Sequence, residues 1–135
     1  YGILMHELLR KIRTVDDVSF VVDQVLFNGR IAPEQAHNLK DKLQQIVEYA
    51  GEWFSPDQVV YNERAIISHE GKIRIPDRII EDETNVIVID FKFGQPEESY
   101  SKQVTEYVKL IRVTTSKEVQ GFLYYADRPE KIRVI

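Results

Sequence analysis

With 135 residues, the chain is long enough for one hydrophobic core and short for several domains. It carries 22 acidic against 18 basic side chains, a formal net charge of −4, which argues against a free-standing DNA-binding domain of the usual basic kind. Cysteine is absent, so disulfides and thiolate metal sites are excluded, and no apolar run nears the roughly 18 residues of a membrane span.

No signal-peptide pattern opens the chain, and with a start at Tyr1 rather than methionine a fragment of something longer is expected. From Gly2 to about Ile12, Ile3, Leu4, Leu8 and Ile12 recur at helical spacing and predict a short helix that carries His6. A lone helical histidine is by itself more often a hydrogen-bonded bystander than a ligand. Thr14 with Asp17 resembles a capping box that opens a second helix through Val18, Val21, Val22, Val25 and Leu26, ended by Asn28 and Gly29. Pro33 suits the first position of a third helix, whose Leu39, Leu43, Ile46, Val47 and Ala50 form an apolar stripe up to Gly51. Trp53 and Phe54 read as core plugs before Ser55, Pro56 and Asp57 turn the chain. Residues 1–54 are thus expected to be mainly helical.

Residues 59–135 read as a sheet core within the same domain. Val59 to Ser68 predicts a strand with Tyr61, Glu63, Ala65 and Ile67 on one face, followed by a turn at His69, Glu70 and Gly71. A carboxylate among apolar neighbours wants a partner, and Glu63 has two candidates, the acidic site described below or an arginine such as Arg78. After the site hairpin, a helix runs from about Ser99 to Ile111 with Val104, Tyr107, Val108 and Ile111 inward. Gln103 and Tyr107 lie four apart and share a face. Val119 to Ala126 and Lys131 to Ile135 are strands on either side of an Asp127-Arg128-Pro129 turn. The whole reads as an α/β fold, a mixed sheet with helices against it. Basic residues gather at Arg10, Lys11 and Arg13 and again at Lys102, Lys109 and Arg112.

The most informative stretch is Ile75 to Gly94, two β-branched runs around Glu81-Asp82-Glu83-Thr84-Asn85. A turn centred on Glu83 and Thr84 makes paired residue numbers sum to 167, which sets Asp77 opposite Asp90. Their Cβ atoms would then lie roughly 4.5–5.5 Å apart on one face. Like charges so placed repel, and a divalent cation between them is a reason to keep both. Lys92 is two residues beyond Asp90 and shares its face. A bland alternative exists: Asp-x-Lys on a strand is usually a solvated ion pair worth about 0–1 kcal/mol. An odd-length turn would also slip the register and send Asp77 to the other face. Pro76 cannot donate to a ladder and belongs at a strand start, an edge or a bulge.

Pro76-Asp77 followed across a hairpin by Asp90-Phe91-Lys92 resembles the signature of the PD-(D/E)xK nucleases, and more closely the C-terminal nuclease domain of the RecB/AddA type of helicase–nuclease. Gly2 and His6 are similar to that subgroup's early Gly-x-x-x-His element, Asp77-Arg78 to its Asp-Arg pair, and Gln103 with Tyr107 to its Gln-x-x-x-Tyr helix. One departure is Ile75, where relatives often carry a small residue two before the first aspartate.

The resemblance implies a restriction-endonuclease-like core with an N-terminal helical segment, binding Mg²⁺ or Mn²⁺ and hydrolysing DNA phosphodiesters. It implies His6, Asp77 and Asp90 as metal ligands, joined by the backbone carbonyl of Phe91. Lys92 would orient the attacking water, stabilise negative charge or, if desolvated, act as a base. Gln103 and Tyr107 would border the site and position phosphate or the lysine. It further implies a helicase region in the same polypeptide, a second subunit, a cytoplasmic setting and a role in double-strand-break repair. The absence of cysteine excludes the iron–sulfur cluster of related nuclease branches. The competing expectation, supported by the acidic balance, is a catalytically inactive module of the same fold used for DNA binding or subunit interaction.

Overall fold

Apolar stripes at helical spacing build the N-terminal unit, Tyr1–Asp57, of this computed structural model, which describes residues 2–61, 64–67 and 70–135. Helix α1 (Gly2–Lys11) buries Met5, Leu8 and Leu9, with Ile12 just beyond its end, while Ile3 is 79% exposed. The inward face is therefore rotated from the one expected. Met5, Leu8, Leu9 and Ile12 complete an i, i+3, i+4, i+7 pattern, and Ile3 stands about 200° around the helix from Met5.

The Asp17 carboxylate accepts the backbone N–H groups of Arg13 (2.9 Å) and Thr14 (3.1 Å), winding a short 3₁₀ turn (Val15–Asp17) that leads into α2 (Val18–Phe27). Helix α2 ends where Gly29 takes a φ of 74°, with the Gly29 and Arg30 N–H groups donating back to Leu26 and Val25. Pro33 opens α3 (Pro33–Ala50), which buries Ala36, Leu39, Leu43, Ile46, Val47 and Ala50; Trp53 and Phe54 are buried in the turn that follows.

The second unit, Gln58–Ile135, is an α/β structure on a mixed five-stranded sheet in the order β1-β4-β5-β6-β7. Strands β1 (Val59–Tyr61), β4 (Arg78–Glu81) and β5 (Asn85–Lys92) run antiparallel. Helix α4 (Glu98–Arg112) then crosses over, so that β6 (Glu118–Tyr125) lies parallel to β5, and β7 (Glu130–Arg133) returns antiparallel to β6. A separate ribbon pairs β2 (Ile66–Ile67) with β3 (Ile73–Arg74).

The single strand expected from Val59 to Ser68 is thus two short strands in different sheets. Tyr61 pairs with Ile79, and continuing that register would soon oppose Pro76, which has no N–H for a ladder bond. Glu63, Ser68 and His69 lie outside the described residues. Among those described, no helix is long and apolar enough to cross a membrane.

One face of the sheet packs against α4. Ile79, Val86, Val88, Val119 and Leu123 meet Val104, Tyr107 and Val108 of the helix in one buried cluster. Gly121 on β6 lets them approach: a Cβ there would sit 2.5 Å from a Val104 methyl and 2.7 Å from a Val108 methyl. Both valines are fully buried, and their β-branched side chains have little rotamer freedom to retreat. Gly121→Ala is expected to destabilise the fold by about 1–3 kcal/mol, the usual range for overpacking. Urea denaturation reads this directly, and Val104→Ala added to Gly121→Ala should recover part of the loss. An unchanged midpoint in the single variant would show that α4 does not press on Gly121.

Candidate active site

The hairpin turn fixes the site. Asp82 Oδ1 accepts the N–H groups of Thr84 (2.9 Å) and Asn85 (2.7 Å), and these bonds hold its carboxyl below the usual carboxylate range. The Asp82 N–H donates to the Asn85 carbonyl (3.0 Å), closing a two-residue loop at Glu83 and Thr84. Arg78 opposes Ile89, Ile79 opposes Val88, Ile80 opposes Ile87 and Glu81 opposes Val86. Asp77 and Asp90 continue this register by one rung.

At that rung, side chains take over from the ladder. The Asp77 N–H donates to Asp90 Oδ1 (3.1 Å), and the Phe91 N–H donates to Asp77 Oδ2 (2.9 Å). Each carboxylate is thereby tied to the opposite strand, just past the point where Pro76 ends regular pairing. Asp77 is 6% exposed and Asp90 4%. Burial, and then the neighbouring Asp77 charge, push the Asp90 carboxyl above its usual range, with Lys92 opposing them.

Lys92 lies next along the same face. Its Nζ is 3.3 Å from Asp90 Oδ2, donates to Gln103 Oε1 at 3.1 Å, and stands 4.5 Å from the centre of the Tyr100 ring. Gln103 shares a helix face with Tyr107, whose hydroxyl pKa is raised by burial and by the Asp90 charge. Helix α4 therefore delivers Tyr100, Gln103 and Tyr107 to one end of β5, spaced three and four residues apart on one face. Phe91 points to the other face and packs edge-on against Tyr124, leaving its backbone at the site. Arg78 is fully buried, one residue on from Asp77 and so on the opposite face.

The structure brings together Asp77, Asp90, Lys92, Gln103 and Tyr107 within one unit. His6 is half-buried on α1 and belongs to the other unit. Among the described residues, no three His, Cys, Asp or Glu side chains form a metal-holding group. The two aspartates are a donor set of carboxylate oxygens, which fits a hard cation such as Mg²⁺ or Mn²⁺. Sequence reasoning missed Tyr100, although its i, i+3 spacing to Gln103 and its aromatic ring were visible.

No protein-family model matches the chain, and no curated protein matches it. Among solved structures it is similar to the crystal structure of SSO0001, with 17% identity, 98% of this chain and 78% of that chain covered, and a TM-score of 0.36. A superposition that loose supports no inference.

Because folding raises the Asp90 pKa, the stability linked to that carboxyl is fully present below the ordinary carboxylate value and is lost as pH rises through the folded value. Asp77→Asn keeps an acceptor for the Phe91 N–H but removes the neighbouring charge. In EDTA, the variant's melting temperature should gain on wild type as pH rises from about 4, then level off once Asp90 has titrated. A gap that does not change with pH, or one that closes, would contradict the strained carboxylate pair.

Proposed function

We propose that this chain is a metal-dependent DNA nuclease module of the PD-(D/E)xK kind, resembling the nuclease domain of RecB/AddA-type helicase–nucleases. One observation carries the reading: two buried aspartates are locked face to face across a hairpin, with the Lys92 ammonium 3.3 Å from one of them. A surface Asp-x-Lys ion pair would be solvated, whereas here the Lys92 and Asp90 side chains are 16% and 5% exposed.

Asp77 and Asp90 would hold Mg²⁺ or Mn²⁺, and by resemblance the Phe91 carbonyl would add to the ligand set. Such a cation, when bound, supplies Lewis-acid stabilisation of the phosphate's developing charge. The chain's own contribution is positioning. Lys92, held by Gln103 and resting against the Tyr100 ring, presents an ammonium beside the carboxylates, where it orients the attacking water and offsets charge in the transition state. Tyr107 keeps its proton at neutral pH and so does not serve as a base. Under this reading the module acts in the cytoplasm on DNA, next to a helicase region and a second subunit, in double-strand-break repair and recombination.

Lys92→Ala and Asp90→Ala separate chemistry from cation binding. Lys92→Ala should lower cleavage of single-stranded DNA in Mn²⁺ by roughly 10²–10⁴-fold, while calorimetric Mn²⁺ affinity holds or improves because a nearby positive charge is gone. Asp90→Ala should lose both. Near wild-type cleavage by Lys92→Ala would remove it from the chemistry. Wild-type protein with no cleavage above an EDTA control would sink the nuclease reading.

A further inference from the structure

Arg74 is a cation at the edge of this site that the carboxylates do not use. It ends β3, three residues before Asp77. Its register partner is Ile66, and directly opposed residues of an antiparallel pair share a face. Ile66 packs against the cluster formed by α4 and the sheet, so Arg74 is on the α4 side as well. There its charge acts on the Tyr107 hydroxyl, as do those of Asp90 and Asp77. Its Nε is buried with no hydrogen-bond partner. A buried guanidinium N–H without an acceptor is costly, about 1–3 kcal/mol for an ordinary donor and more for a charged one. Lys117, by contrast, meets Glu81 at 3.0 Å, and Arg30 meets Glu7 at 2.8 Å.

The geometry points to Arg74 as a phosphate-binding residue, gripping a backbone phosphate of the nucleic acid whose neighbouring diester lies at Asp77 and Asp90. This rests on the nuclease reading and names a contact that reading does not contain. Guanidinium suits the task because its planar fork matches two phosphate oxygens and its charge does not titrate away. A phosphate would meet the outer part of the half-buried guanidinium, without competing with Lys92 for the carboxylates. The alternative role is packing, with the arginine stem covering Tyr107 and the charge idle.

Salt dependence distinguishes the two. The anisotropy of a fluorescent single-stranded oligonucleotide, titrated in EDTA at several salt concentrations, gives the slope of log affinity against log salt. Each phosphate contact on a single strand contributes about 0.7 to that slope. Arg74→Gln should weaken binding several-fold at low salt and lower the slope by about that amount, whereas Arg74→Lys should keep most of the slope. Lys72→Gln, an exposed charge removal two residues away, should change the slope less than Arg74→Gln. In Mn²⁺, Arg74→Lys should raise KM several-fold with kcat little changed.

Wild-type affinity and slope in Arg74→Gln would overturn the assignment, as would an equal loss of slope in Lys72→Gln. Should Arg74→Gln fail to fold, unchanged KM in Arg74→Lys would overturn it. Wild-type protein that cleaves DNA while Arg74→Gln binds normally would discard this contact alone. Wild-type protein that neither binds nor cleaves DNA would instead remove the nuclease reading and this inference with it.

Discussion

The turn at Glu83 and Thr84 fixes the register of β4 against β5, and that register forces two carboxylates into one buried rung. An unpaired ionised carboxylate in such surroundings costs several kcal/mol even after relaxation. Among the described residues, a backbone N–H on each aspartate and the ammonium of Lys92 on Asp90 offset part of the cost. Asp77, Asp90 and Lys92 by themselves sum to one negative charge. The Asp90 carboxyl responds by holding its proton more tightly, as expected where burial and a like charge act together. A divalent cation would remove that excess, which is why the pair reads as a site rather than as a structural lock alone.

The surrounding fold sets this rung at the end of the apolar part of the sheet. Residues of β5 facing α4 run Val86, Val88, Asp90, Lys92, so the face changes from apolar to charged toward the carboxyl end of the strand. Open α/β sheets leave a crevice at the carboxyl ends of parallel strands, where β5 and β6 finish together at Lys92 and Tyr125. Helix α4 closes over the apolar part because Gly121 gives it room, and its first turns carry Tyr100 and Gln103 to the charged part. At the other end of β5, Lys117 ties the loop after α4 to Glu81 and to the Asp82 carbonyl, holding the helix and hairpin in one frame.

What could be read from the sequence depended on how local its cause was. A two-residue turn is a local event, so the opposition of Asp77 and Asp90 and the shared face of Lys92 followed from counting alone. The same holds for the ends of α2 and α3, where Gly29 and Pro33 act through their own backbones. Long-range partners were less legible. The strand expected from Val59 to Ser68 is split between two sheets, and its partner β4 begins only at Arg78, just after Pro76, a pairing that no local pattern announces. The face of α1 was misplaced because Ile3 and Met5 are both apolar, and only packing decides between them. Gly121 in a strand signals a close approach without saying to what. Arg74 gave no signal, since a strand arginine is unremarkable until its missing acceptor is seen. Sequence geometry located the carboxylates and the lysine.

The claim that Asp77 and Asp90 jointly hold a cation is tested most directly by a crystal grown with Mn²⁺ and measured at the manganese absorption edge. The account predicts an anomalous peak between the two carboxylates, absent from crystals of Asp77→Asn. A peak at other residues, or none between the aspartates of a crystal saturated with Mn²⁺, would contradict it.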